Sequence, residues 1–241
     1  MRGIIKPISS YTASDFLLPR HYSGRIPTIS YAFGWYDDNN KLQAVITYGK
    51  PASNSLCQGV CGEEESYRVY ELNRLCREDN WSEPLSQFVA YTLRELSKED
   101  LIIISYSDTG MNHHGYIYQA CNFIYTGCTK ERTDKFVPNG KHSRHYDKNA
   151  EEVYRKVRTP KHRYIYFCTN NKKLKKKWKS ELKYEILPYP KGDNNQDYIL
   201  GNYMKDTIIE KATGNVVDIP KSDSTVENSY YYVDLWGDNN E

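Results

Sequence analysis

The chain has 241 residues, 33 Lys and Arg against 31 Asp and Glu, with 39% hydrophobic and 14% aromatic side chains, enough for one good core and an appendage. No stretch is long and apolar enough to span a bilayer and MRGIIKPISSYTASDFLL has no signal-peptide core, which argues against a membrane partner and for a cytoplasmic protein. The net charge of +2 hides an asymmetry: ten acids and three lysines from Asp193 onward give −7, so the first 192 residues carry +9 and suit a polyanion such as nucleic acid.

In chain order, RIPTISYAFGWYDDNNKLQAVITYG predicts two strands around a turn, and YRVYELNRLC a third. SEPLSQFVAYTLRELSKED predicts a helix with Ser82 as N-cap, Pro84 in the first turn, and a stripe of Leu85, Phe88, Val89, Thr92, Leu93 and Leu96. LIIISY has the composition of a fully buried strand, GYIYQACNF of a short helix, and FIYTGCT of another strand. After a polar connection over about residues 130–160, HRYIYFC is a late strand and NKKLKKKWKSELK a strongly basic helix. Short turns between the early strands point to a single α/β domain over 1–192, with a mixed, largely antiparallel sheet flanked by helices. Residues 193–241 have sparse apolar patterning and read as an acidic, partly irregular C-terminal extension.

Five places carry polar chemistry. In RHYSGR, His21 suits a base or a metal ligand, while Arg20 and Arg25 suit phosphate; a hydrogen-bonded surface turn is the plainer reading. In YELNRLC, Glu71, Asn73 and Arg74 sit among apolar neighbours, where Arg74 either pairs a carboxylate across the sheet or points into a cleft at the strand end. In SYSDTGMNHHGYIYQACNF, Asp108 follows a buried strand, with Tyr118, Gln119 and Asn122 beyond it; such groups suit a nucleobase edge and proton transfer from an exocyclic amine. Of the adjacent His113 and His114, at most one faces such a site. YGKPASNSLCQGVCGEEES lacks Walker spacing and reads as a long connection or a lid, and its C-x₃-C pair, Cys57 and Cys61, is a weak metal signal. In the basic helix, seven lysines face one glutamate between Lys172 and Lys183. Lys172, Lys173, Lys175, Lys176, Lys177, Trp178 and Lys179 form the expected DNA-binding set.

Taken in order, HYSGRIPTISYAFG, VITYGKPAS, YELNRL and SYSDTGMNHHGYIYQACNFIYTG resemble the Mom family of phage DNA-modification proteins over roughly residues 15–190. The resemblance implies a GNAT-like fold and a transferase that places a small carbamoyl- or acetamide-type group on the exocyclic amine of adenine in DNA, protecting it from host restriction. It implies double-stranded DNA and a small-molecule group donor as partners, with iron and an acyl-CoA as cofactors; a homodimer stays open. Carried over residue by residue, it puts His21, Tyr22, Arg74, Asp108 and Tyr118 at the catalytic site. His21 and Asp108 would be the metal ligands, Arg74 the anchor for donor or phosphate, and Tyr118 the contact to adenine. On this reading Asp108→Asn loses modification but keeps the fold. One departure counts against acyl-CoA: LCREDNWSEPL has no glycine where acetyl-CoA enzymes of the superfamily place a pyrophosphate-binding turn. Two alternatives remain, an acyl-CoA-dependent N-acetyltransferase acting on a small amine or protein, and a non-catalytic DNA-binding accessory protein.

Overall fold

In the computed structural model, the described residues are 2–21, 23, 25–138, 149, 151–192 and 207–218. The chain forms two compact units, one from residues 1–131 and 159–205, the other from 132–158 and 206–241.

The first unit is built on a seven-stranded sheet. Its strands are β1 (Ile4–Pro7), β2 (Tyr31–Tyr36), β3 (Leu42–Gly49), β4 (Val69–Arg77), β5 (Leu101–Asp108), β6 (Ile124–Cys128) and, numbered in chain order, β9 (Lys161–Cys168). They lie in the order β1-β2-β3-β4-β5-β9-β6. Every pair is antiparallel except β4 and β5. That pair is joined by the helix α3 (Leu85–Leu96), because a parallel pair needs a crossover connection. The mixed, largely antiparallel sheet predicted from the sequence is present.

Alternation along the strands separates two buried layers. Phe33, Trp35, Ile46, Tyr48, Leu72 and Ile103 pack on α3 through Phe88, Val89, Leu93 and Leu96. On the other face, Val69, Ile102, Ile104 and Phe167 meet α2 (Asn54–Cys61) and α5 (Lys172–Glu181). Ala32, Val45 and Cys76 meet α1 (Ser10–Leu17). The α3 stripe matches the predicted one, but the N-cap is Pro84 rather than Ser82, with no side-chain cap bond.

Three features differ from the prediction. α2 is a helix where the sequence suggests a long connection or a lid, and α1 lies in a segment to which the sequence reading assigns no element. Each is capped by a serine: Ser9 Oγ accepts from Thr12 N at 3.0 Å and Ser53 Oγ from Leu56 N at 3.2 Å. The third is the second unit, where the polar connection supplies β7 (Arg132–Phe136) and β8 (Tyr154–Arg158). With β10 (Ile208–Glu210) and β11 (Val216–Val217) they make a four-stranded antiparallel sheet, in the order β11-β10-β8-β7. Its basic strands are held by ion pairs, Arg158–Asp134 at 2.7 Å and Arg155–Glu152.

Candidate active site

β4 and β5 pair over only four positions, from Val69↔Ile102 to Leu72↔Ser105. Beyond that point β4 continues against β3 and β5 against β9, so the two parallel strands part at their carboxyl ends. The Leu72 carbonyl at the parting accepts from the buried Ser105 hydroxyl at 3.0 Å. A gap at the carboxyl ends of parallel strands is where open α/β sheets hold ligands.

Asp108 ends β5 and is buried at 4% exposure. Its Oδ1 accepts from Gly110 N at 2.9 Å and from the Thr159 hydroxyl at 2.5 Å. Its Oδ2 meets the Lys161 ammonium at 2.7 Å. Burial pushes the carboxyl up, but the Lys161, Thr159 and Gly110 bonds outweigh it and hold the pKa below the ordinary value. Asp108 therefore caps the 3-10 turn Thr109–Met111 and ties it to the start of β9. His113 N returns to the Asp108 carbonyl at 3.1 Å, which brings the His113 side chain back to the same corner.

His21 is also buried, with Nδ1 at 3.2 Å from Ser23 N and 2.9 Å from Ser23 Oγ. Burial, together with the nearby charges of Arg74, His113 and Lys161, pulls its pKa down to about 3. The ring is therefore neutral at ordinary pH. Arg74 donates from Nε and Nη2 to the Arg25 carbonyl at 3.3 and 3.2 Å, and from Nη1 to the Asn73 carbonyl at 2.6 Å. This clamps Arg25 onto β4. Thr47 and Asn73 add a second clamp: the Thr47 hydroxyl donates to Asn73 at 2.6 Å, and Asn73 to the Thr28 carbonyl at 2.9 Å. Tyr22 lies outside the described residues.

Tyr118 lies on α4 (Tyr116–Ala120), whose N-cap Gly115 has φ +75°. A Cβ there would stand 2.5 Å from the Tyr164 ring, so only glycine allows the approach. The Tyr118 ring packs between Phe123 and Tyr164, at 5.4 and 5.3 Å between centroids. Its hydroxyl reaches Ser105 at the parting of the strands, and burial and then the charge of Glu71 keep the phenol protonated. Glu71 also acts on Tyr106, whose pKa is raised beyond its ordinary value chiefly by burial. The sequence prediction thus gathers His21, Arg74 and Asp108 in one charged corner. Tyr118 lies with Ser105 on the α3 face, and Glu71, noted in the sequence only as a strand acid, acts on the phenol by its charge from the other face of the sheet.

The basic helix α5 packs on the sheet face of Val69, Ile102 and Ile104. Leu174, Trp178 and Leu182 recur at every fourth residue and face the core, leaving Lys172, Lys173, Lys175, Lys176 and Lys179 exposed. Two of the predicted DNA contacts need correction. Trp178 is fully buried, donates to Glu65 Oε2 at 2.8 Å, and has no face to offer a base. Lys177 is held by Glu65 Oε1 at 2.6 Å, so its charge is already matched.

Residues 2–191 match the Mom protein family. The chain belongs to that family. Membership supports a phage-type DNA-modification protein. No curated protein matches this Mom-family chain. Among solved structures, an N-acetyltransferase from Staphylococcus aureus is similar at TM-score 0.44 and 11% identity, over 70% of this chain and 100% of that one. The ribosomal-protein-S5-alanine acetyltransferase from Vibrio fischeri gives 0.42 and 10%, over 69% and 93%. A Bacillus subtilis acetyltransferase in complex with CoA gives 0.37 and 14%, over 67% and 95%. Overlaps this loose carry no argument about the chemistry.

The cofactors implied by the family resemblance can be tested against these residues. Iron does not fit the His21–Asp108 pair: both Asp108 oxygens are engaged, one by an ammonium, and no group of three or more His, Cys, Asp or Glu able to hold a metal occurs among the described residues. Cys57 and Cys61 are buried on α2, and burial pushes the Cys61 thiol up to about 12. A CoA pyrophosphate does not fit the turn before α3, which carries Glu78, Asp79 and Glu83 and ends in Pro84, a residue without an N–H. No helix among the described residues is long and apolar enough to cross a membrane.

Proposed function

We propose that this Mom-family protein transfers a small carbamoyl- or acetamide-type group to the exocyclic amine of adenine in DNA, at the parting of β4 and β5. The supporting observations are a protonated phenol, Tyr118, on the α3 face of the sheet beside Ser105, and a carboxylate, Glu71, on the other face one residue before the strands part, whose charge acts on that phenol. In a duplex the amine is out of reach, so the base must be flipped into the gap. There the amine nitrogen attacks the donor's electrophilic carbon, the one that carries the leaving group. The C–N bond forms, the donor's leaving group departs with its bonding electrons, and the nitrogen loses a proton to Glu71. Tyr118 donates a hydrogen bond to the base edge. His21, Arg74 and Asp108 act by holding Ser23, Arg25 and the 109–113 turn in place. The exposed lysines of α5 supply phosphate contacts, which add affinity and salt dependence without sequence choice.

The experiment is restriction protection. Plasmid from cells producing the parent protein is expected to resist endonucleases whose sites contain adenine. Glu71→Gln keeps the shape of the side chain and removes the base, so modification should fall by about 10²-fold or more, with circular dichroism and solubility unchanged. A Glu71→Gln protein that protects as well as the parent would remove the carboxylate from the reaction.

A further inference from the structure

An apolar and aromatic surface lies beside α5. A groove of about 440 Å³ runs between that helix and residues 186–189, lined by Tyr125, Phe167, Ile186, Leu187 and Tyr189 among others. This volume lies within the usual range for ligand sites. Its far side is fixed in place: Leu187 N donates to the Tyr125 carbonyl at 3.0 Å, and the Tyr189 hydroxyl to the Phe123 carbonyl at 2.7 Å. Ile186 and Tyr189 nevertheless stay 52% and 41% exposed. α5 contributes Lys175 and Lys179, which are one turn apart, and Lys172 continues the same row by its i,i+3 spacing.

We infer that this groove is a second nucleic-acid site, in which an unpaired base of a DNA strand lies against the apolar lining while the flanking phosphates meet Lys172, Lys175 and Lys179. Single-strand sites combine a cationic track with flat apolar side chains in this way. Lys172, Lys175 and Lys179 follow one another along one edge of α5, so their charges can meet successive phosphates of one strand. The site is remote from the β4–β5 gap in function: it holds strand, not the reacting base. The inference rests on the reading of DNA as substrate.

The test is fluorescence anisotropy of purified full-length protein with a labelled single strand of about 12 nucleotides, within the usual site size. Ile186→Glu changes an exposed residue and places an acid in the groove. Ile4→Glu is the control, the same change at an exposed isoleucine of β1 outside the lining. Ile186→Glu is expected to weaken single-strand binding at least about tenfold, in line with loss of an apolar contact to the base, and Ile4→Glu by about threefold or less. Equal weakening by the two, unchanged binding in Ile186→Glu, or tighter capture of an acidic aromatic peptide than of the oligonucleotide would overturn the inference. Because binding is read without turnover, failure here is separate from failure of the transferase reading, which would show as absence of modified adenine.

Discussion

Trp178→Ala is expected to cost about 3–5 kcal/mol of stability, the usual range for truncating a fully buried tryptophan. The side chain is 0% exposed, packs 5.9 Å from Phe167 between ring centroids, and carries the indole N–H that satisfies Glu65. Removing it leaves a cavity between α5 and the sheet and takes the indole donor from a buried carboxylate, which Lys177 and, at 3.3 Å, Arg68 then hold. The midpoint of urea unfolding should fall sharply, and single-strand and duplex binding should be lost with the fold. Lys176→Ala, an exposed change on the same helix, should shift stability by no more than about 0.5 kcal/mol. A stable, folded Trp178→Ala protein with selectively weakened DNA binding would return Trp178 to the surface role that its sequence context suggests.

The second large effect is Asp108→Asn. The sequence reading gives this variant an intact fold; the structure predicts that stability and modification fall together. Asparagine keeps the shape but loses the ion pair with Lys161, and its NH₂ must meet either the Lys161 ammonium or the donors on the other side. The expected cost is about 1–3 kcal/mol, less than for a wholly buried pair because the Lys161 side chain remains 42% exposed and is screened by water. The pH dependence follows from the direction of the shift. The folded carboxyl has a lower pKa than the unfolded one, so its contribution is full above the ordinary value of 3.8 and is lost as pH falls through the folded pKa. The parent should therefore lose this part of its stability only in strong acid, and Asp108→Asn should show a shallower acid limb. An Asp108→Asn protein as stable as the parent at pH 7 but devoid of modification would make Asp108 a catalytic group after all.

Much of the fold is legible because the strands advertise themselves. Leu101–Tyr106 is an unbroken apolar run, and the α3 stripe keeps helical spacing through Leu96, so burial on one face dictates both elements. α1 and α2 are eight residues each, with Ser, Thr, Asp and Gly among them, and only the capping serines Ser9 and Ser53 signal them. The second sheet hides for another reason: RTDKF and YRKVR have half-buried or exposed residues throughout and are held by cross-strand ion pairs, so no apolar alternation marks them. In the candidate site, the Asp108–Gly110 turn is a local pattern, but Thr159 and Lys161 join it from about fifty residues away, and no spacing rule reports that. Trp178 is the opposite case. Leu174, Trp178 and Leu182 mark a buried stripe in the sequence itself, but the surrounding lysines give the stronger signal of a solvated, DNA-facing helix.

The most direct measurement is nucleoside mass spectrometry of DNA from cells producing the parent protein or Tyr118→Phe, which removes one hydroxyl beside Ser105 and leaves the ring packing in place. The account predicts an adenosine adduct heavier by a carbamoyl- or acetamide-type group in the parent sample, strongly reduced in the variant while both proteins remain folded. Unmodified adenosine in DNA from cells that contain abundant, folded parent protein would contradict it.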